Sequence, residues 1–262
     1  MRTIHRVLDP QTPDPTFSHV CALALMTKAP RAGKVKTRLV PPLNYEEAAE
    51  LNKCFLHDTA AAISACCRSP KMQKGGQPMA CAVAVYTPVG AESDYRDILP
   101  RSFSLLPQRG HDFGERLFFA SEDLFKCGFE TVCLIDSDSP TIPPENFVRS
   151  VELLSSPDKC VVLGPCDDGG YYLIGLTALR GEIFQGIDWS TERVFEQTKQ
   201  QAVQIGVEVC ELPRGYDVDD QATLYRLCHE LLREGAPDNV APNTREFLRK
   251  LLAGDGQRRI FA

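Results

Sequence analysis

The sequence predicts an α/β domain in which a mainly parallel sheet is covered by helices on both faces. Short continuous apolar runs, typical of strands buried on both sides, alternate with segments of helical periodicity. The connections between these segments are short, which favours strand–helix–strand units packed in layers. A chain of 262 residues, with 43% hydrophobic and 24% charged residues, is long enough to bury the core of one large domain.

The predicted elements follow one another in a regular order. The first strand covers residues 20–27 (VCALALMT) and ends in a Pro/Gly-rich loop. Asn44 then has the character of a helix N-cap, with Glu47 in the position of a capping-box partner. Further strands are predicted at 79–87, 103–107, 131–135, 160–164, 171–176 and 207–212. Helices are predicted at about 44–67, 115–127, 143–154, 191–205, 219–233 and 244–252.

Residues 19–253 are expected to form this single domain, flanked by two terminal segments. Residues 1–18 contain prolines, arginines and aspartates and have no apolar stretch of the kind found in a secretory signal. They are predicted to form a mobile arm, with an ordered strand that pairs with the sheet as the alternative. Residues 254–262 are polar and are predicted to form a loose tail.

Composition excludes several classes of protein. The formal net charge of −6 disfavours general nucleic-acid binding. No segment reaches the ~18 apolar residues of a membrane span, so no membrane insertion is expected. The eleven cysteines are odd in number and lie mostly in apolar runs without a Cys-x-x-Cys motif, which predicts reduced, structural thiols in a cytoplasmic protein.

The loop after the first strand concentrates positive charge in an acidic chain. Gly33 permits close approach of the backbone to a ligand, and free N–H groups near a turn suit phosphate oxygens. The loop lacks the glycine spacing of a Walker A motif or a dinucleotide fingerprint. It is therefore predicted to bind phosphate groups in another way, and a solvated basic loop is the alternative. Its cations are Lys28, Arg31, Lys34, Lys36 and Arg38.

Carboxylates follow later strands. Asp136 and Asp138 come directly after the strand at 131–135, and alternate residues of an extended segment share a face, so both can reach one cation. Their hard oxygen atoms suit Mg²⁺ or Mn²⁺ alongside phosphate oxygens. Asp138 is the preferred ligand because it lies farther from the strand. In the segment 217–220, Asp219 can supply a second carboxylate while another aspartate caps the following helix.

Two glycine-containing loops are further candidates. In the segment 164–175 (GPCDDGGYYLIG), an acidic turn joins two strands, and it either contacts a substrate or only shapes a hairpin. The loop 108–114 (QRGHDFG) can press its backbone against a base or ribose, with helix capping by Asp112 as the alternative. The sole tryptophan, Trp189, precedes Ser190 and Thr191 and either lines a cleft or belongs to the core.

Together these motifs resemble one family. The motifs K-x-P-x-x-G-x-V-K-T-R-L, D-x-P, G-P-x-x-D-G-G-Y-Y-L-I-G-L, W-S-T and D-V-D occur in this order over about residues 20–230. They are similar to those of the glycosyltransferase-like family also called radical-SAM/selenodomain-associated transferases. That family is similar in turn to the phospholactate and molybdenum-cofactor guanylyltransferases. The resemblance implies a nucleotide-diphospho-sugar transferase fold of the GT-A type.

The resemblance also implies roles for residues. It implies a divalent metal held by Asp138 and completed by Asp219, whereas relatives often carry glycine at the position of Asp136, whose metal role follows from chemistry alone. The donor nucleotide is expected to contact Lys28, Pro30, Gly33, Lys36, Thr37, Arg38, Gln108, Gly110 and Gly114. The acceptor is expected to contact Asp168, Gly169, Gly170, Tyr171, Trp189, Ser190 and Thr191.

Two reactions fit these expectations. In nucleotidyl transfer, a phosphorylated acceptor attacks the α-phosphate of a nucleoside triphosphate and releases pyrophosphate, with Lys28, Lys36 and Arg38 stabilising the charge. In glycosyl transfer from a nucleotide sugar, Asp168 would orient or deprotonate the acceptor hydroxyl. The many cations favour the first reaction, because a triphosphate carries more charge. A non-catalytic nucleotide-binding protein is the third hypothesis; the base, the acceptor and the oligomeric state, including a homodimer, stay open.

Overall fold

The computed structural model describes residues 5–156, 160–254 and 256–261, which form a seven-stranded sheet with helices on both faces. The strands are β1 (Cys21–Lys28), β2 (Ala80–Thr87), β3 (Ser104–Pro107), β4 (Thr131–Ile135), β5 (Cys160–Pro165), β6 (Tyr171–Leu176) and β7 (Glu208–Glu211). The helices are α1 (Tyr45–Arg68), α2 (Phe113–Lys126), α3 (Pro144–Leu154), α4 (Val194–Gln204), α5 (Gln221–Leu232), α6 (Pro242–Ala253) and α7 (Gly256–Ile260). Short 3₁₀ helices cover Pro15–Phe17, Thr37–Leu39, Pro70–Met72, Glu92–Tyr95 and Gly181–Phe184, and a small hairpin pairs Gln73–Lys74 with Gln77–Pro78.

The strand order in the sheet is β3-β2-β1-β4-β6-β5-β7. Strand β6 runs antiparallel to its neighbours β4 and β5, and the remaining neighbouring pairs are parallel. The predicted mainly parallel α/β architecture is thereby confirmed. Because β1 and β4 are adjacent and parallel, the loops that follow them leave the sheet at the same edge, where ligands bind in such folds.

Alternation along β1 explains why helices cover both faces. Leu23 and Leu25 point to the face covered by α1 and α3, whereas Ala22 and Ala24 point to the face covered by α2 and α4. A third apolar cluster joins the outer side of α1 to α5 and α6. Helix α1 is therefore held from two sides, which gives the loop before it a fixed end.

The N-terminal segment docks against the sheet, in place of the mobile arm predicted for residues 1–18. Leu8 N donates to Leu105 O at 2.8 Å, and Leu105 N donates to Arg6 O at 2.8 Å, so the segment pairs in parallel with β3. Phe17 is buried and stacks on Phe129, with ring centroids 4.0 Å apart. The described residues 5–18 thus follow the alternative of an ordered pairing segment, because they carry apolar side chains that the edge of the sheet can bury; residues 1–4 lie outside the described residues.

The C-terminal residues also depart from the expectation of a loose tail. Residues 256–260 form α7, and Ile260 is buried in the cluster between α1, α5 and α6. The guanidinium of Arg259 donates to both carboxylate oxygens of Glu47, at 2.7 and 2.8 Å, and to Pro42 O at 2.8 Å. This bidentate contact fastens the tail to the start of α1; residues 255 and 262 lie outside the described residues.

Side-chain caps are present at the starts of α1, α2 and α5. Asn44 Oδ1 accepts from Glu47 N, and Glu47 Oε2 accepts from Asn44 N, both at 2.8 Å, which is the capping box expected for α1. Asp112 caps α2 and Asp220 caps α5 through their carboxylates. These contacts fix the starts of three helices next to the loops that carry the candidate site.

The cysteines and the helices agree with two expectations from composition. No disulfide joins the eleven cysteines. Burial raises the pKa of Cys66, and it raises the pKa of Cys67 to about 12, so neither adjacent thiol is easily ionised. Within the described residues, every helix is too short or too polar to cross a lipid bilayer.

Candidate functional site

The loops after β1 and β4 meet the segment that leads into α5. Val218 N donates to Asp138 O at 2.9 Å, which ties this segment to the loop after β4. Lys36 has a φ of 48°, in the left-handed region that favours glycine, and lies directly before the 3₁₀ helix Thr37–Leu39. A lysine in this conformation indicates a backbone that its surroundings hold in place.

The ammonium of Lys36 is the centre of this arrangement. Its Nζ lies 2.9 Å from Asp138 Oδ1 and 2.8 Å from Asp219 Oδ1, and it donates to Val218 O at 2.8 Å. The lysine side chain is only 4% exposed, whereas the carboxylates of Asp138 and Asp219 are 34% and 39% exposed. One buried cation therefore bridges two carboxylates that are themselves partly exposed.

Electrostatics keep this lysine charged. Burial alone would lower the pKa of Lys36, but the carboxylates of Asp138 and Asp219 outweigh the burial, so its pKa lies above the ordinary value. Arg38 adds a longer contact, with its guanidinium 3.4 Å from Asp219 Oδ2. The carboxylate of Asp219 therefore lies between two cations, Lys36 and Arg38.

Further carboxylates line the same depression. Asp136 accepts a hydrogen bond from Ser139 Oγ at 2.7 Å, and burial together with the nearby Asp138 raises its pKa well above the ordinary value. Burial first, and then the neighbouring Asp168 and Asp219, raise the pKa of Asp217 to about 6. Burial disfavours the charged form of both carboxyl groups, and the neighbouring carboxylates add like-charge repulsion.

Two cavities open on either side of the central carboxylates. The smaller one has a volume of about 270 Å³ and a strongly basic wall, formed by Lys28, Lys34, Lys36 and Arg38. The larger one has a volume of about 510 Å³, with apolar and aromatic walls that include Met26, Phe113, Tyr171 and Trp189. We call them the basic cavity and the aromatic cavity. Four residues line both: Arg38, Ser137, Asp138 and Asp219.

Most of the predicted site residues lie in these cavities. The basic cavity includes Lys28, Lys36, Thr37, Arg38, Asp138 and Asp219. The aromatic cavity includes Arg38, Asp136, Asp138, Asp168, Gly170, Tyr171, Trp189, Ser190, Thr191 and Asp219.

The remaining predicted residues lie outside the walls of both cavities: Pro30, Gly33, Gln108, Gly110, Gly114 and Gly169. Some of them support the walls from behind. A Cβ on Gly114 would lie 2.4 Å from Trp189 Nε1, and a Cβ on Gly169 would lie 2.1 Å from Glu192 O. At these two positions glycine allows close packing against Trp189 and Glu192.

The structure adds residues that sequence reasoning did not select. Asp217 and Cys166 join Asp168 in a group whose candidate ligand atoms all lie within 4.8 Å of one another. Asn52 lines the basic cavity from helix α1 and is 4% exposed, although nothing in the local sequence distinguishes it from other polar helix residues. The D-V-D pattern at 217–219 carried a signal for Asp217, whereas Asn52 becomes visible only through the tertiary fold.

The residues present fit a divalent cation. The oxygen atoms of Asp138 and Asp219 converge on one position of positive charge, which the Lys36 ammonium holds in this structure. Carboxylate oxygens are the ligands that Mg²⁺ and Mn²⁺ prefer. In the group of Cys166, Asp168 and Asp217, burial raises the pKa of the Cys166 thiol. The two carboxylates are therefore the suitable ligands for a divalent cation in this group.

Comparison with known proteins supports the fold. The family model described as "Uncharacterized protein conserved in bacteria (DUF2064)" matches residues 73–191. A crystal structure of a nucleotide-diphospho-sugar transferase candidate from Desulfovibrio desulfuricans G20 is 27% identical, with a TM-score of 0.77 over 93% of this chain and 97% of that chain. The chain therefore has the fold of the nucleotide-diphospho-sugar transferases, as the resemblance implied. A comparison with curated proteins gives no match.

Two other solved structures are more distant. A cytidylyltransferase from Leptospira borgpetersenii is 11% identical, with a TM-score of 0.44 over 90% of this chain and 96% of that chain. A mannosyltransferase from Pyrobaculum calidifontis, in complex with GDP-mannose and Mn²⁺, is 14% identical, with a TM-score of 0.46 over 97% of this chain and 75% of that chain. At this similarity neither one bears on the reaction of this protein.

Proposed function

We propose that the protein is a metal-dependent nucleotidyltransferase, which joins the nucleoside monophosphate part of a nucleoside triphosphate to a small phosphorylated acceptor. The observation that supports this proposal is the pair of cavities of opposite character that share Asp138 and Asp219. A nucleoside triphosphate has the same division, with a flat base and ribose at one end and a strongly anionic chain at the other.

The two cavities match the two ends of such a donor. The aromatic cavity offers the side chains of Phe113 and Trp189, which are in edge contact at 5.2 Å between ring centroids, as an apolar surface for the base. The basic cavity offers Lys28 and Lys34, which form no ion pair within the described part of the chain. In the proposed complex, the α-phosphate lies at the shared wall and the β- and γ-phosphates lie among the cations.

The reaction then proceeds at the shared wall. An oxygen of the acceptor phosphate attacks the α-phosphorus, the bond from this phosphorus to the bridging oxygen of the β-phosphate breaks, and pyrophosphate leaves into the basic cavity. Lys28 and Arg38 neutralise the charge that develops on the leaving group, while Lys36, whose Nζ contacts Asp138 and Asp219, holds these carboxylates in place. Asp138 and Asp219 would hold Mg²⁺ or Mn²⁺, which supplies Lewis-acid stabilisation of the phosphate oxygens.

Glycosyl transfer from a nucleotide sugar is the second candidate. The similar protein from Desulfovibrio desulfuricans G20 is a nucleotide-diphospho-sugar transferase candidate, which favours this reaction. Asp168 lines the aromatic cavity and could orient an acceptor hydroxyl there. In this reaction the nucleoside diphosphate leaves as one unit, so the cations of the basic cavity would bind its β-phosphate and no γ-phosphate.

Pyrophosphate release separates the two candidates. The protein is incubated with each common nucleoside triphosphate, a panel of phosphorylated acids and Mg²⁺, and acceptor-dependent pyrophosphate is measured. Asp138→Asn and Asp219→Asn are expected to lower the rate at least roughly 100-fold. Asp94→Asn is the matched control, because Asp94 pairs with Arg31 outside both cavities. Hydrolysis of a nucleotide sugar without pyrophosphate release from any triphosphate would support glycosyl transfer instead.

A further inference from the structure

We infer that Asn52 is a specificity-determining residue, whose side-chain amide binds the outermost phosphate of the donor at the floor of the basic cavity. The inference rests on the proposed function, since it places the phosphate chain in this cavity. It adds a neutral hydrogen-bonding group to the charged residues that the basic loop supplies, and it comes from a different element, helix α1.

The side chain of Asn52 is buried but unused by the fold. Asn52 is 4% exposed, and its Oδ1 atom is buried without a hydrogen-bond partner. Within the described residues, its Nδ2 atom also forms no hydrogen bond with the protein, although the residue lines the basic cavity. The amide nitrogen is not fully buried, so its N–H donors are the atoms of this side chain that a ligand can reach.

An asparagine without a hydrogen-bond partner is unfavourable at this position of helix α1. Asn52 lies between Leu51 and the core residues Cys54, Phe55 and Leu56, in a stretch of α1 that is buried on two sides. Asparagine is a weak helix former, and buried amides are nearly always hydrogen-bonded. What separates Asn52 from other unpaired polar residues of this helix is that it lines the basic cavity, where a ligand can supply the partner.

The surroundings identify the chemistry of that partner. Lys28 and Lys34 line the same cavity without an ion pair in the described residues, and Lys36 is committed to Asp138 and Asp219. Two available ammonium groups and an amide donor together match the oxygen atoms of a terminal phosphate. With a volume of about 270 Å³, the basic cavity accommodates a diphosphate group.

The same helix provides a matched control. Thr59 is buried, and its Oγ1 atom likewise has no hydrogen-bond partner, but it lies outside both cavities. Thr59→Val removes an unpaired buried polar atom at nearly constant volume. Asn52→Leu removes the amide of a residue that lines the basic cavity, and Asn52→Asp replaces the donor with an acceptor of negative charge.

Binding to the full chain is measured by calorimetry with inorganic pyrophosphate, with nucleoside triphosphates and with nucleoside monophosphates. Asn52→Leu is expected to weaken pyrophosphate and triphosphate binding about tenfold, the value of one hydrogen bond to a charged group. Asn52→Asp is expected to weaken both by more than this, through charge repulsion. Monophosphate binding stays within about twofold, because the monophosphate does not reach the floor of the basic cavity, and Thr59→Val leaves all three affinities within about twofold.

Thermal unfolding of the variants without ligand separates a binding role from a structural one. Asn52→Leu is expected to unfold at the same temperature as the wild type or a higher one, because it removes an unpaired polar atom. Pyrophosphate affinity within twofold of the wild type in both Asn52 variants would overturn the inference, and so would a wild-type protein that does not bind pyrophosphate. If pyrophosphate binding depends on Asn52 but no acceptor yields pyrophosphate, the proposed reaction fails while the role of Asn52 stands.

Discussion

Replacement of Lys36 by methionine tests whether the bridged carboxylates form a cation site. The change keeps the length of the side chain but removes three contacts of Nζ, with Asp138 Oδ1, Asp219 Oδ1 and Val218 O. Removal of one partner from a fully buried ion pair costs about 3–5 kcal/mol. Because Asp138 and Asp219 are 34% and 39% exposed, water screens the remaining carboxylates, and we expect a loss of about 2 kcal/mol.

A divalent cation should reverse this loss. In the variant, Mg²⁺ or Mn²⁺ can take the place of the ammonium between the two carboxylates, whereas in the wild type it must share them with Lys36. A ligand at 100 times its dissociation constant adds about 2.7 kcal/mol to the stability of the folded state. Mn²⁺ is therefore expected to stabilise Lys36→Met more than the wild type, by roughly 1–3 kcal/mol.

Urea denaturation followed by circular dichroism, with chelator and with excess MnCl₂, measures both effects. Lys34→Met is the control, because Lys34 lies in the same loop and forms no ion pair within the described residues. With chelator, it should stay within about 0.5 kcal/mol of the wild type. The interpretation is wrong if Lys36→Met is as stable as the wild type with chelator, or if Mn²⁺ stabilises both proteins equally.

Gly169→Ala is expected to cost roughly 3 kcal/mol in urea denaturation, because its Cβ would lie 2.1 Å from the carbonyl oxygen of Glu192 at a φ of +87°; unchanged stability would contradict this. Trp189 is the sole tryptophan and lines the aromatic cavity, so nucleotide binding should change intrinsic fluorescence, and an unchanged emission on binding would place the base elsewhere. Glu47→Gln should cost about 1 kcal/mol at pH 7. The Arg259 guanidinium holds the pKa of Glu47 below its usual value. The stability that this ion pair contributes is therefore present above the unfolded-state pKa of Glu47 and lost as the pH falls through the folded-state pKa. An equal loss of stability in Glu47→Gln at pH 7 and at about pH 3.5 would refute this.

The sheet and its caps could be predicted because their signals are local. Continuous apolar runs mark buried strands wherever they pair, and a capping box such as that of Asn44 and Glu47 is complete within four residues. The N-terminal segment could not be placed in this way. Its pairing with Leu105 joins residues almost a hundred positions apart, and its few apolar side chains show no period.

In the candidate site, too, local motifs reveal some residues, whereas the contacts between them depend on the fold. Asp138 and Lys36 could be selected from motifs, but their direct contact depends on how β1 and β4 pair. The bond from Lys36 to Asp219 spans 183 positions, so no local pattern shows that this lysine neutralises that aspartate. No motif marks Asn52. It is distinguished by a buried amide oxygen without a hydrogen-bond partner, beside a cavity that only the fold creates.

The bridged lysine suggests why this site can be assembled before any ligand binds. Asp138 and Asp219 would repel each other at this separation without a cation, and loops that hold like charges together tend to open. Lys36 supplies the missing charge and also ties down Val218, so the carboxylates keep their positions. A donor with its metal can then add positive charge and phosphate oxygens together, while the ammonium remains within reach of both. Preorganisation of this kind lowers the cost of binding, and it is the property that links the buried lysine to the proposed transfer of a nucleotidyl group.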